Sequence, residues 1–199
     1  AGLSFLWTLR GIVWSDGGKA PSRLGNTKLP VLLEEHEAYS RYFTVYDRRY
    51  RFPSGQEASF DVVGHPSLEN FLFVVVCPLL WQDGNIEDSS EVVFTFVREF
   101  SAGSGELHYA LPTGCVERGE SVELAAAREL AEEAGLNASR LVPLLPASHP
   151  GILEVKWARN RFLPFLALDT APLSGTSRPA RPVEEESLHA INVSETEAW

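Results

Sequence analysis

The chain has no methionine, not even at position 1, and only two cysteines, Cys77 and Cys115, among its 199 residues. Two cysteines cannot build a disulfide framework, so two reduced, buried thiols in an intracellular protein are the expectation. Long apolar runs are missing too. The longest, 71–81, falls short of the ~18 residues that a membrane-crossing helix needs and contains Pro78. No contact with a membrane is expected. Basic residues are scarce beside acidic ones: 17 Lys+Arg stand against 27 Asp+Glu, for a formal charge of −10. That balance argues against a general nucleic-acid binder, which presents a basic face, unless a divalent cation bridges an acidic site to a phosphate. The start, Ala1-Gly2-Leu3, shows neither a transit pattern nor a signal peptide. The expectation is a chain trimmed from a longer precursor, cytoplasmic or organellar after presequence removal.

What is present suits a folded domain. Hydrophobic residues make up 44% of the chain and aromatics 11%, enough for a sizeable core. Residues 17–22 read as a loop, and 29–39 as an acidic, weakly helical stretch. Strand signals then follow at 41–52 and 58–63, joined through the turn Pro53-Ser54-Gly55 as a hairpin. The run 71–80 is apolar throughout, as in a strand buried on both faces. A polar loop at 82–90 leads to further strands at 91–100 and 108–111. Past the helix described next, strands are expected at 152–156, 162–169 and 187–193, with a Pro/Ser/Gly linker at 172–182. The organisation expected is an N-terminal segment and β lobe (1–66), then a mixed α/β domain (67–199).

The strongest helix signal is 121–134, rich in alanine, leucine and glutamate, with Ser121 placed as N-cap and Gly135 as the stop. Glu129, Glu132, Glu133 and Leu136 follow the i, i+3, i+4, i+7 spacing, so three carboxylates are expected along one helical face. Bunched carboxylates repel one another. A hard divalent cation relieves that repulsion and favours their charged state. Arg128 can orient one of them, and Glu120 is its other natural partner. Ala126 and Leu130 face the opposite way, toward a sheet. Taken alone, the cluster is equally compatible with a solvated helix carrying Glu/Arg pairs.

The spacing goes further. Gly114, Glu120, Arg128-Glu129-Leu130, Glu132-Glu133 and Gly135-Leu136 occupy every fixed position of the Nudix box, and the segment resembles that family's motif. The resemblance implies an α/β/α sandwich with a mixed central sheet and a divalent metal, Mg²⁺ or alternatively Mn²⁺, held by the helix. It also implies water attack on a diphosphate linked to another moiety. Several features resemble the ADP-ribose pyrophosphatase branch: Pro53-Ser54-Gly55, His65-Pro66, the stretch Val97-Arg98-Glu99-Phe100, and Leu111-Pro112-Thr113-Gly114 leading into the box. Pro150 stands at the spacing associated with ADP-ribose, within Ser148 to Glu154, which resembles that branch's SPG…E stretch. The branch usually has Glu where Ala110 stands, so a metal or water contact is lost, and Arg where Ser101 stands, so a cation for the substrate is lost. Neither departure touches the carboxylate helix.

By this resemblance Glu129 and Glu133 are metal ligands, Glu132 is a third ligand or water partner, and the Thr113 carbonyl is a backbone ligand. The general base falls to Glu186 or Glu185, in the acidic run before the last strand. Arg98, Pro150, Glu154 and Gly114 are substrate contacts, and Glu120 and Arg128 support the site. The partner expected is a nucleoside diphosphate-linked small molecule, ADP-ribose or another NDP-sugar, with the protein a homodimer. Two other readings stand beside this one. The same chemistry could remove pyrophosphate from RNA 5′ ends with the help of an RNA-binding partner, or the fold could serve as a scaffold subunit.

Overall fold

The computed structural model describes residues 28–65, 71–81, 92–173 and 189–194. Two sheets make up the architecture. The smaller is antiparallel and has the order β1-β2-β3, from β1 (Val31–Ser40), β2 (Thr44–Arg51) and β3 (Glu57–Gly64). Here the reading of 29–39 as weakly helical is corrected. Those residues form edge strand β1, whose glutamates find arginines across the ladder: Glu34 lies opposite Arg49 and Glu35 opposite Arg48. Cross-strand charge pairing outweighs the modest helix preference of an acidic segment.

The larger sheet is mixed. Its path runs β11-β5-β4-β10-β8, built from β4 (Leu72–Trp81), β5 (Val92–Ser101), β8 (Leu136–Pro143), β10 (Arg161–Pro172) and β11 (His189–Ser194). Three short strands attach to it: β6 (Glu106–Ala110) on β5, β7 (Thr113–Cys115) on β4 and β9 (Ile152–Leu153) on β10. Among the described strands only β4 and β10 run parallel, in the centre, which is why 71–80 reads as a continuous apolar run. Proline seldom sits in a central strand, yet Pro78 is fully buried in β4. It lies where the neighbour on one side changes, β7 pairing with Phe73–Val75 and β5 with Leu79–Trp81. At that gap no ladder partner requires the N–H that proline lacks.

One helix lies among the described residues, α1 (Val122–Glu129), continued by a π-helical turn over Leu130–Ala134. The Ser121 side chain caps its start by accepting the Leu124 N–H at 3.2 Å, and Gly135 ends it with φ +68°, a left-handed conformation glycine adopts freely. Ala125, Ala126, Leu130 and Ala134 are buried against Val74 and Val76 of β4 and Phe165 and Ala167 of β10. Small alanines let the helix approach the sheet closely, and this packing fixes the depth at which its carboxylates sit. Among the described residues no helix is long and apolar enough to cross a membrane.

Candidate active site

Two strands and the helix assemble the acidic site. Strand β7 lies beside β4, with Gly114 opposite Val74, and this brings the 113–115 backbone against the buried end of the helix. The Thr113 N–H donates to the Glu133 carboxylate at 2.8 Å. At Gly114 there is no room for a side chain, because a Cβ would stand 1.9 Å from Glu129 Oε1. Glu129 and Glu133 are only 7% and 8% exposed, whereas the Glu132 side chain is 41% exposed.

Glu129 and Glu132 share one side of the helix, both reached by Arg128 Nη1, but the carboxylates differ in depth. The α-helix gives way to a π turn at Leu130, which alters the angular step between residues. Glu129 and Glu133 point into the protein beside β7, and Glu132 lies toward solvent. Leu136 is not on the helix at all; it begins β8 after the Gly135 break.

Arg128 organises the cluster. Its Nη1 donates to Glu129 at 2.6 Å and to Glu132 at 3.2 Å, while Nε and Nη2 donate to the two oxygens of Glu120 at 3.0 Å each. A further Nη2 bond reaches the Cys115 carbonyl at 2.8 Å, tying the helix to β7. The Glu120 carboxylate also accepts the Glu117 N–H at 3.0 Å. The hydrogen bond from Arg128 holds the Glu120 carboxyl below the usual carboxylate range, and the same contacts raise the guanidinium further. Among the described residues this one arginine faces three carboxylates, with the Glu133 carboxylate beside them.

That donor set suits a hard divalent cation: carboxylate oxygens, two of them on buried side chains, next to a glycine that leaves the backbone close. Among the described residues no three acidic, histidine or cysteine side chains stand together as a ready metal group. Arg128 lies between Glu129 and Glu132, and Glu185 and Glu186 lie outside the described residues. Both cysteines are free, and burial pushes each thiol up to about 11, so neither is an activated nucleophile.

The other residues singled out from the sequence lie elsewhere. Arg98 is exposed on β5, between His189 and Tyr109 of the neighbouring strands. Pro150 is exposed in the loop before β9. Next to it, Gly151 is buried at φ +90° and its carbonyl accepts from Arg161 at 3.0 Å. Glu154 accepts from Asn160 Nδ2 at 3.1 Å, and Asn160 Oδ1 in turn accepts the His65 N–H at 3.0 Å. Glu154 thus supports a buried asparagine that joins the end of β3 to the loop before β10.

Sequence reasoning passed over a second concavity. A cavity of about 580 Å³ opens between the small sheet and the 153–161 segment, lined by Arg48, Tyr50, Phe60, Phe71, Trp157 and Arg161 among others. Tyr46 is buried beneath Arg159, whose guanidinium carbon lies 4.7 Å from the Tyr46 ring and 4.1 Å from that of Phe71. The run Trp157-Ala158-Arg159-Asn160-Arg161 is the local signal that could have pointed here; Arg48 and Tyr50 join it only through the fold.

Comparison with known proteins gives the same frame. A model of the NUDIX domain matches residues 74–198. None of the curated proteins compared matches the chain. Among solved structures, one described as the crystal structure of an ADP compounds hydrolase superposes with a TM-score of 0.65 at 24% identity, covering 85% of this chain and 80% of the other. At that identity the likeness concerns the fold.

Proposed function

The chain belongs to the Nudix family, with the activity of a pyrophosphohydrolase, and on that premise we propose that it is an Mg²⁺-dependent hydrolase of ADP-ribose or another nucleoside diphosphate sugar. The products are a nucleoside monophosphate and a sugar phosphate. The observation that carries this reading is the pair of buried carboxylates, Glu129 and Glu133, set against the Thr113–Gly114 backbone and next to a guanidinium shared with Glu120 and Glu132.

Glu129 and Glu133 are the proposed metal ligands, with Glu132 as a third ligand or water partner and the Thr113 carbonyl as a backbone ligand. A divalent ion held there would neutralise diphosphate charge and lower the pKa of an attacking water. Arg128 keeps Glu129 and Glu132 in register, and the Glu120 carboxylate keeps Arg128 from turning away. The proton of the attacking water goes to a carboxylate on the 184–186 run, Glu186 in the first place and Glu185 in the second. Gly114 and Arg98 are proposed to meet the phosphates, and Pro150 and Glu154 to shape the loop that faces the sugar. The homodimer is part of the same proposal, and light scattering tests it.

Hydrolysis is tested with a panel of ADP-ribose, other NDP-sugars and 5′-triphosphorylated RNA, each with Mg²⁺ or Mn²⁺. ADP-ribose or an NDP-sugar should be cleaved, with an absolute requirement for the divalent ion. Cleavage of the RNA alone would transfer the assignment to RNA 5′ ends, and no turnover on any compound would leave a scaffold.

A further inference from the structure

We propose that His149, as a neutral imidazole carrying its hydrogen on Nε2, is the positioning residue of the Pro150 loop and so sets how tightly the sugar end of the substrate is held. The inference rests on the hydrolase reading for the loop's place in the reaction, but not for the loop's own chemistry. His149 Nδ1 accepts the Gly151 N–H at 3.1 Å, bridging Pro150. Proline has no N–H, so Gly151 supplies the first backbone donor after His149. A ring nitrogen accepts only while it carries no hydrogen. The contact therefore selects the Nε2–H tautomer and excludes the imidazolium.

The other anchors around Pro150 are backbone groups and an arginine, none of which changes its protonation near neutrality. The Leu144 N–H donates to the Pro164 carbonyl at 2.9 Å where the chain leaves β8, and the His149 N–H donates to the Pro146 carbonyl at 2.8 Å, closing a turn. Beyond Pro150, the Gly151 carbonyl accepts from Arg161, and Ile152 and Leu153 pair with Phe162 and Arg161 of β10. Gly151 itself has no room to drift, since a Cβ there would stand 2.9 Å from Arg161 Cβ and 3.3 Å from the Phe162 carbonyl oxygen. Both of its polar groups are taken: the carbonyl by a guanidinium of fixed charge, the N–H by the one acceptor that a proton can remove.

The surroundings leave that acceptor to the Gly151 contact. Charged groups on the elements packed against this turn are Arg161 of β10, bonded to the Gly151 carbonyl, and on the following loop Glu154, bonded to Asn160, and Lys156, which lies over the Trp157 ring. Strand β4 contributes the apolar Leu72. Among the described residues the histidines that meet an acid are His36 and His108, not His149, so no carboxylate holds an imidazolium there. Protonation would place a second hydrogen where the Gly151 N–H points, exchanging a hydrogen bond for a contact between two donors. Asparagine is the matching control. Its side-chain oxygen accepts a backbone N–H two residues on, in the same pattern, and does not titrate.

Nitrogen-15 NMR of the imidazoles in the full chain tests the tautomer, with His149→Asn identifying the His149 signals by their loss. At about pH 8, Nδ1 should be unprotonated and Nε2 should carry the hydrogen. The Gly151 amide should exchange with solvent about three- to tenfold faster in His149→Ala than in the wild type, and His149→Asn should restore it. In hydrolysis, His149→Ala should raise the KM for ADP-ribose or the NDP-sugar cleaved by about three- to tenfold with kcat nearly unchanged, while His149→Asn stays near the wild type. Lowering the pH from about 8 to about 5.5 should raise the wild-type KM relative to that of His149→Asn. The proposal is overturned if Nδ1 carries the hydrogen at about pH 8, if His149→Asn behaves as His149→Ala does, or if His149→Ala leaves both the Gly151 exchange rate and KM unchanged. A wild type that cleaves nothing overturns the hydrolase reading alone, and the NMR and exchange results then decide the role of His149.

Discussion

The small sheet and helix α1 both pair glutamates with arginines, and they do so to opposite ends. Across β1–β3 the pairs are matched and exposed: Glu34 with Arg49, Glu35 with Arg48, and Glu57 with both Arg49 and Arg51. Charge there nearly cancels, and water screens what remains, so each pair contributes little to stability. At the helix a single guanidinium serves Glu120, Glu129 and Glu132, with buried Glu133 alongside. Among the described residues four carboxylates gather there around one guanidinium. Matched pairs settle strand register, whereas the partly buried acidic cluster is where a divalent cation is proposed to bind.

Breaking that contrast should have its largest effect at the helix. Glu133→Gln or Glu129→Gln should cost hydrolysis orders of magnitude in kcat, with circular dichroism and melting curves showing a folded protein. Gly114→Ala should nearly abolish activity and also destabilise the fold by about 1–3 kcal/mol, because its methyl would occupy the place of the Glu129 carboxylate. Denaturant titration checks the second effect. Leu130→Ala, deep in the interface between helix and sheet, should cost about 2–5 kcal/mol by the same measurement.

Acid should loosen the brace in a defined direction. Glu120 has a depressed carboxyl pKa in the folded state, owing first to the Arg128 hydrogen bond. Its stabilising contribution is therefore complete above the unfolded carboxyl pKa of about 4.3 and is lost as pH falls through the lower folded value. Melting temperatures of wild type and Glu120→Gln should differ at neutral pH and converge as the pH drops below about 4. The smallest effect belongs to the small sheet: Arg49→Ala should leave hydrolysis unchanged and shift the melting temperature barely measurably. A large loss there would contradict the contrast between the two regions.

The sequence exposed some of this better than the rest. Strands at 44–51, 57–64, 72–81 and 92–101 are legible because each run is apolar or alternating and bounded by turn residues. Residues 31–40 are not, since glutamates in an edge strand carry the composition of a helix until their cross-strand arginines are known. Strand β8 escapes as well. Leu136–Pro143 contains Asn, Ser and Arg and acquires its strand identity from pairing with β10. The π turn is invisible for a different reason: the same Leu-Ala-Glu-Glu-Ala run satisfies α periodicity, and only packing chose the wider step.

Residue types and spacing made the proximity of Glu129, Glu132 and Arg128 legible, because a helix converts spacing into proximity, and Glu120 just before it joins the same guanidinium. Tertiary structure alone decided which carboxylates are buried, that Gly114 stands against Glu129, and that four of the few cations gather at one cavity. Those facts depend on strands that are far apart in sequence, and no local pattern encodes the distance between them.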